Sequence, residues 1–118
     1  MSLSSSFHTL DHADIRAVLE VPGLVLLDFW QASCAPCRAL EPRLEQIAQR
    51  RSGEFLGYRI DVEANPDAAG DFDVQSIPTV ILIRDGREVA RLDGLIRDHD
   101  VDEALDAHRP ATSARSPQ

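Results

Sequence analysis

Seven residues, Leu24-Val25-Leu26-Leu27-Asp28-Phe29-Trp30, form the run that most narrows the folds open to this chain. Successive strand side chains point to opposite faces, so a run that is apolar at both parities must be buried on both. It therefore belongs inside a mixed, partly parallel sheet with helices on each side. One charge, Asp28, interrupts it. A carboxylate in such a strand is costly unless paired, so its pKa should rise. Cys34-Ala35-Pro36-Cys37 follows at once, and then a helical pattern; these are the only 2 cysteines in 118 residues. On a helix, residues i and i+3 are neighbours at roughly 5–6 Å between Cβ atoms, close to disulfide reach. The first thiol lies near a helix N-terminus, where unpaired N–H groups and the dipole favour a thiolate. Strand, turn, activated thiol and adjacent second thiol together suit thiol–disulfide exchange.

The remaining pattern builds the sheet and its covers. Asp11 or Thr9 can cap a short helix to about Glu20, with Ile15, Val18 and Leu19 inward, and Pro22-Gly23 stops it. After Ser33, Leu40, Leu44, Ile47 and Ala48 make the stripe of a helix laid on a sheet. Pro42 should kink that helix and Gly53 ends it. Phe55 to Val62 reads as a second strand, Asn65-Pro66 to Asp71 as a turn and short helix, and Thr79 to Ile83 as a third strand. Asp85-Gly86 signals a hairpin into Glu88 to Leu92. Asp98 or Asp100 can open a last helix with Val101, Ala104 and Leu105 inward. The expected organisation is a flexible start at 1–6, one α/β domain over 7–108, and a disordered polar tail at 109–118.

Composition removes several classes of function. With 20 acidic residues against 12 Lys and Arg, a net charge of -8 argues against a nucleic-acid partner. No apolar run approaches the roughly 20 residues of a membrane span. Met1 to His12 lacks the basic and apolar regions of an export signal, which makes the cytoplasm the expected compartment. There, a lone cysteine pair is redox-catalytic or metal-binding more often than structural. Zinc wants four ligands, and His8, His12, His99 and His108 lie outside any ligand spacing. Redox chemistry is the stronger reading, and no metal or organic cofactor is expected. The adjacent Arg50 and Arg51 read as a solvated helix end, favourable against the dipole.

Asp28-Phe29-Trp30, Cys34-Ala35-Pro36-Cys37, Pro42, Ile77-Pro78-Thr79, Asp85-Gly86 and Gly94, in this order and spacing, resemble the thioredoxin family over about Phe7 to His108. The resemblance implies a thioredoxin fold, a central mixed sheet with helices on both faces. It implies Cys34 as the attacking thiolate, Cys37 as the resolving thiol, Asp28 as the carboxylate beneath them, and Pro78 as a cis proline facing the pair. Ser33, Ala35, Pro36, Ser76, Ile77, Gly94 and Leu95 would line a shallow substrate groove. Arg59 falls where the family usually has a lysine near the carboxylate, while Trp30 and Pro42 would be supporting residues. Ser33 stands in place of the usual tryptophan and Ala35 in place of glycine.

The function so implied is reduction of protein disulfides by a monomer, with a thioredoxin reductase returning the electrons. A binding or chaperone module in which redox activity is secondary is the alternative, and the altered groove leaves room for it.

Overall fold

The computed structural model describes residues 6–109. The start and tail expected at 1–6 and 109–118 lie outside the described residues, apart from Ser6 and Arg109. Five strands form one sheet: β1 (Phe7–Thr9), β2 (Leu24–Trp30), β3 (Leu56–Asp61), β4 (Thr79–Arg84) and β5 (Arg87–Asp93). Four helices cover it: α1 (Ile15–Leu19), α2 (Ala35–Arg50), α3 (Pro66–Asp71) and α4 (Asp98–Ala107). The strand order is β1-β3-β2-β4-β5, so β2 is central. It runs parallel to β3 and antiparallel to β4.

The alternation along β2 sorts the core into two layers. Leu24 and Leu26 pack with Leu40, Leu44 and Ile47 of α2 and with Val101 and Leu105 of α4. Val25, Leu27 and Phe29 pack on the other face with Ile15 and Val18 of α1 and Ala68 of α3. Each fully buried aliphatic side chain contributes about 1.5–3 kcal/mol, so the two layers hold the sheet from both sides. Asp28 falls in the α2 layer by the same parity, and only 1% of it is exposed.

Several boundaries differ from the sequence expectations for stated physical reasons. β1 has no sequence signature of its own: it is three residues long and exists because β3 has an open edge to pair with. Phe7 lies over Gly57, where a Cβ would meet the ring at 2.6 Å, so only glycine allows this approach. The Ser6 N–H donates to the Glu45 carboxylate at 2.9 Å, tying the strand's start to α2. The first helix begins as a 3-10 turn over His12–Asp14, and the Asp11 side chain makes no cap bond. α4 begins where expected, but Arg97 occupies its cap position. Asp100 reaches back to accept the Arg97 N–H at 3.0 Å, while Asp98 accepts from Arg43 Nε at 2.8 Å. Pro42 sits exposed within α2 without ending it.

Arg51 overturns the reading of a solvated helix end. Its side chain is only 11% exposed and bridges Glu54, Asp102 and Asp106 at 2.8–2.9 Å, locking α4 to the end of α2. Arg50 remains exposed and pairs with Asp102. At the β4–β5 turn, Asp85 and Gly86 both have positive φ, as a two-residue hairpin requires.

Candidate functional site

The end of β2 and the start of α2 position the two sulfurs. Cys34 is the N-cap residue of α2 in extended backbone, and Pro36 occupies the first turn, where a missing N–H costs nothing. Cys34 and Cys37 are joined as a disulfide with Cα atoms 5.2 Å apart. The Cys37 N–H donates to Cys34 Sγ at 3.1 Å, so the sulfur takes the capping place usually filled by a side-chain oxygen. Cys34 is half-buried, whereas Cys37 is only 1% exposed. Whatever reaches this pair from outside meets Cys34 first.

Asp28 lies on the sheet face that α2 covers, in register with Arg59 of β3 and Val80 of β4. Burial pushes its carboxyl up to about 6, against the opposing charge of Arg59. Arg59 Nε stands 3.5 Å from Asp28 Oδ2, an ion-pair distance. Yet that contact is long and poorly aligned for a hydrogen bond, and no other protein group bonds either Asp28 oxygen or Arg59 Nε, so the two interact mainly by charge. The Arg59 guanidinium lies over the Trp30 ring, 4.3 Å from its centroid. Both its Nη groups donate to Glu41 of α2 at 2.9 Å.

Five of the seven expected groove residues divide between two hollows, and Ser33 and Ala35 line neither. Pro36, Pro78, Gly94 and Leu95 line one of about 130 Å³, together with Leu40 and Ile96. Ser76 and Ile77 line a second of about 200 Å³, with Gln31 and Val74. The Ile77–Pro78 bond is cis, as the resemblance implied. Leu95 is 75% exposed, a large apolar side chain presented to solvent at the rim. Ser33 and Ala35 are exposed, and Ser33 Oγ accepts from Gln31 Nε2 at 2.6 Å. Thr79 donates to the Ser76 carbonyl at 2.6 Å and so fixes the turn before β4. Pro42, exposed on α2, lines neither hollow.

Three participants escaped the sequence reading. Glu41 carried the one available signal: it stands four residues after Cys37, one turn along the same helix face. Gln31 and Arg43 carried none. Arg43 Nη2 donates to the Ile96 carbonyl at 2.7 Å, holding the loop that carries Leu95. Among the described residues, no group of His, Cys, Asp and Glu is arranged to hold a metal ion.

The family model for thioredoxin matches residues 7–107. The chain belongs to the thioredoxin family. It is 40% identical to a thioredoxin of Mycobacterium tuberculosis over 91 residues, 77% of this chain and 78% of that one. A Staphylococcus aureus thioredoxin is 37% identical over 96 residues, 81% of this chain and 91% of the relative. A mutant thioredoxin from Halobacterium salinarum superposes with a TM-score of 0.80 at 25% identity, covering 93% of this chain and 97% of the other. As a thioredoxin-family member with a disulfide-bonded Cys-x-x-Cys pair, the chain is a thiol–disulfide oxidoreductase. No helix among the described residues is long and apolar enough to cross a membrane.

Proposed function

We propose that Cys34 is the attacking thiol, Cys37 the resolving thiol and Asp28 the base that serves it, in the reduction of protein disulfides. The observation that carries this reading is the asymmetry of the pair: Cys34 caps α2 and is reachable, while Cys37 is buried. In the reduced protein the Cys34 thiolate attacks one sulfur of a substrate disulfide. The substrate S–S bond breaks, one substrate thiolate leaves, and a mixed disulfide forms at Cys34. Cys37 then gives its proton to Asp28 and attacks Cys34 Sγ. The mixed disulfide breaks, the second substrate thiolate leaves, and two electrons have passed to the substrate. The product is the Cys34–Cys37 disulfide.

The hollow lined by Pro78 and the one lined by Ser76 and Ile77 suit an extended substrate segment, with Leu95 offering apolar contact at the rim of the first. A dithiol reductase of the thioredoxin reductase class would return the electrons to a monomer acting in the cytoplasm.

Pulse alkylation of the fully reduced protein with iodoacetamide near neutral pH, followed by peptide mass spectrometry, tests the assignment. Cys34 is expected to label well before Cys37, and preferential labelling of Cys37 would reverse the roles. Insulin reduction separates this reading from the binding-module alternative: wild type should be active and Cys34→Ser inert. An inactive wild type with an intact fold would favour the binding module.

A further inference from the structure

The Arg59 fork is given away from the buried acid. A guanidinium makes its strongest interaction with a carboxylate through paired N–H groups. Here both Nη groups serve Glu41, whose side chain is 41% exposed. Asp28, buried and 3.5 Å from Nε, receives no well-aligned hydrogen bond from a protein group at either oxygen. A fork turned from the more deeply buried of two carboxylates towards the more exposed one must be held there by its other contacts. Trp30 fixes the guanidinium from one side, and Glu41 takes its donors.

We propose that Glu41 is a positioning residue: it holds the Arg59 fork off Asp28 and so keeps the buried carboxyl able to carry a proton. The inference rests on Asp28 being the base for Cys37, and it adds a group that tunes the strength burial gives that base. Two effects of Glu41 act in the same direction. Its negative charge opposes ionisation of Asp28 directly, and its grip on both Nη groups denies Asp28 those two donors, leaving only the long Nε contact to stabilise the carboxylate. The raised Asp28 pKa accords with this, since burial outweighs the pull of Arg59 and Glu41 adds to the upward push.

The charged groups bearing on Asp28 are Arg59 from β3 and Glu41 from α2. Cys37 stands one turn before Glu41 on α2 and is held in the disulfide, and the register partner on β4 is the apolar Val80. A base kept close to neutrality transfers protons better than one held far below it. Glu41 would therefore tune the resolving step without touching either sulfur.

The test follows the Asp28 carboxyl carbon by NMR in the oxidised, isotope-labelled protein from about pH 3 to about pH 9, assigned with Asp28→Asn. Wild type, Glu41→Gln, Arg59→Met and the double variant are compared. Glu41→Gln should lower the Asp28 midpoint by about one pH unit. In the Arg59→Met background the same change should lower it by less than half as much. Stopped-flow release from a Cys34 mixed disulfide should show the acid limb moved down with the midpoint, and a several-fold slower plateau. An unmoved or raised midpoint in Glu41→Gln overturns the proposal. So does an equal shift in both backgrounds, which would leave only direct repulsion between the two acids. Should Asp28→Asn release substrate as fast as wild type, the base reading fails, while the titration still decides what Glu41 does to Arg59.

Discussion

Replacing Asp28 by asparagine should stabilise this protein at neutral pH and leave it unchanged in acid. In the unfolded chain the carboxyl titrates near 3.8, and burial moves it to about 6 in the fold. Between those values the native state keeps a proton that the unfolded state has lost. Stability therefore falls as pH rises through that window and levels off above about 6. The gap from 3.8 to about 6, at about 1.4 kcal/mol per pH unit, is worth about 3 kcal/mol. Because Asp28 is only 1% exposed, solvent does little to screen this cost. Asparagine is neutral throughout, so Asp28→Asn should match wild type near pH 4 and exceed it by about 3 kcal/mol near pH 8, roughly 10–15 °C in Tm. The assay is urea unfolding of the oxidised protein at several pH values, in which neither sulfur titrates. Other carboxylates cancel in the difference between the two proteins. A difference that stays flat from pH 4 to 8 would refute the reasoning. The same variant should resolve a Cys34 mixed disulfide about 10²–10⁴-fold more slowly, so that stability is gained where function is lost.

Other substitutions test the frame around the site. Gly57→Ala pushes a methyl into the Phe7 ring and should cost about 1–3 kcal/mol in urea unfolding, with faster amide exchange at His8 and Thr9; unchanged exchange would mean that β1 moves aside freely. Arg51→Met removes the bridges to Asp102 and Glu54 and should cost about 2 kcal/mol with the active-site chemistry intact; an unchanged midpoint would mean that apolar packing alone fixes α4. Ser33→Trp adds apolar surface beside Cys34 and should lower the KM of a foreign thioredoxin reductase for this protein, whereas unchanged kinetics would shift attention to Ala35.

What the sequence determined by itself is whatever a local pattern can carry. Both parities of Leu24–Trp30 are apolar, which puts β2 in the centre; the 3.6-residue stripe through Leu40, Leu44 and Ile47 lays α2 on it; Asp85-Gly86 closes the hairpin. Cys34 and Cys37 are local as well, because a helix cap and the first turn after it suffice to bring two sulfurs together. Asp28 was legible as a misfit, a charge in an apolar strand whose burial follows from its neighbours.

Only the tertiary structure decided the partners. Phe7–Thr9 is a strand because β3 offers it an edge about fifty residues away, and three residues of mixed polarity hold no periodicity to announce that. Ile77-Pro78 is compatible with either peptide isomer until the surrounding fold selects one. Arg51 looked like one more solvated arginine until α4 brought Asp102 and Asp106 against it. Arg59 is the sharpest case. The β2–β3 register placed it beside Asp28, yet its fork goes to Glu41, because a helix and a strand distant in sequence meet there and their side-chain geometry determines which carboxylate receives the donors. Periodicity reports which face a residue occupies; which charge it meets on that face depends on how separate elements pack.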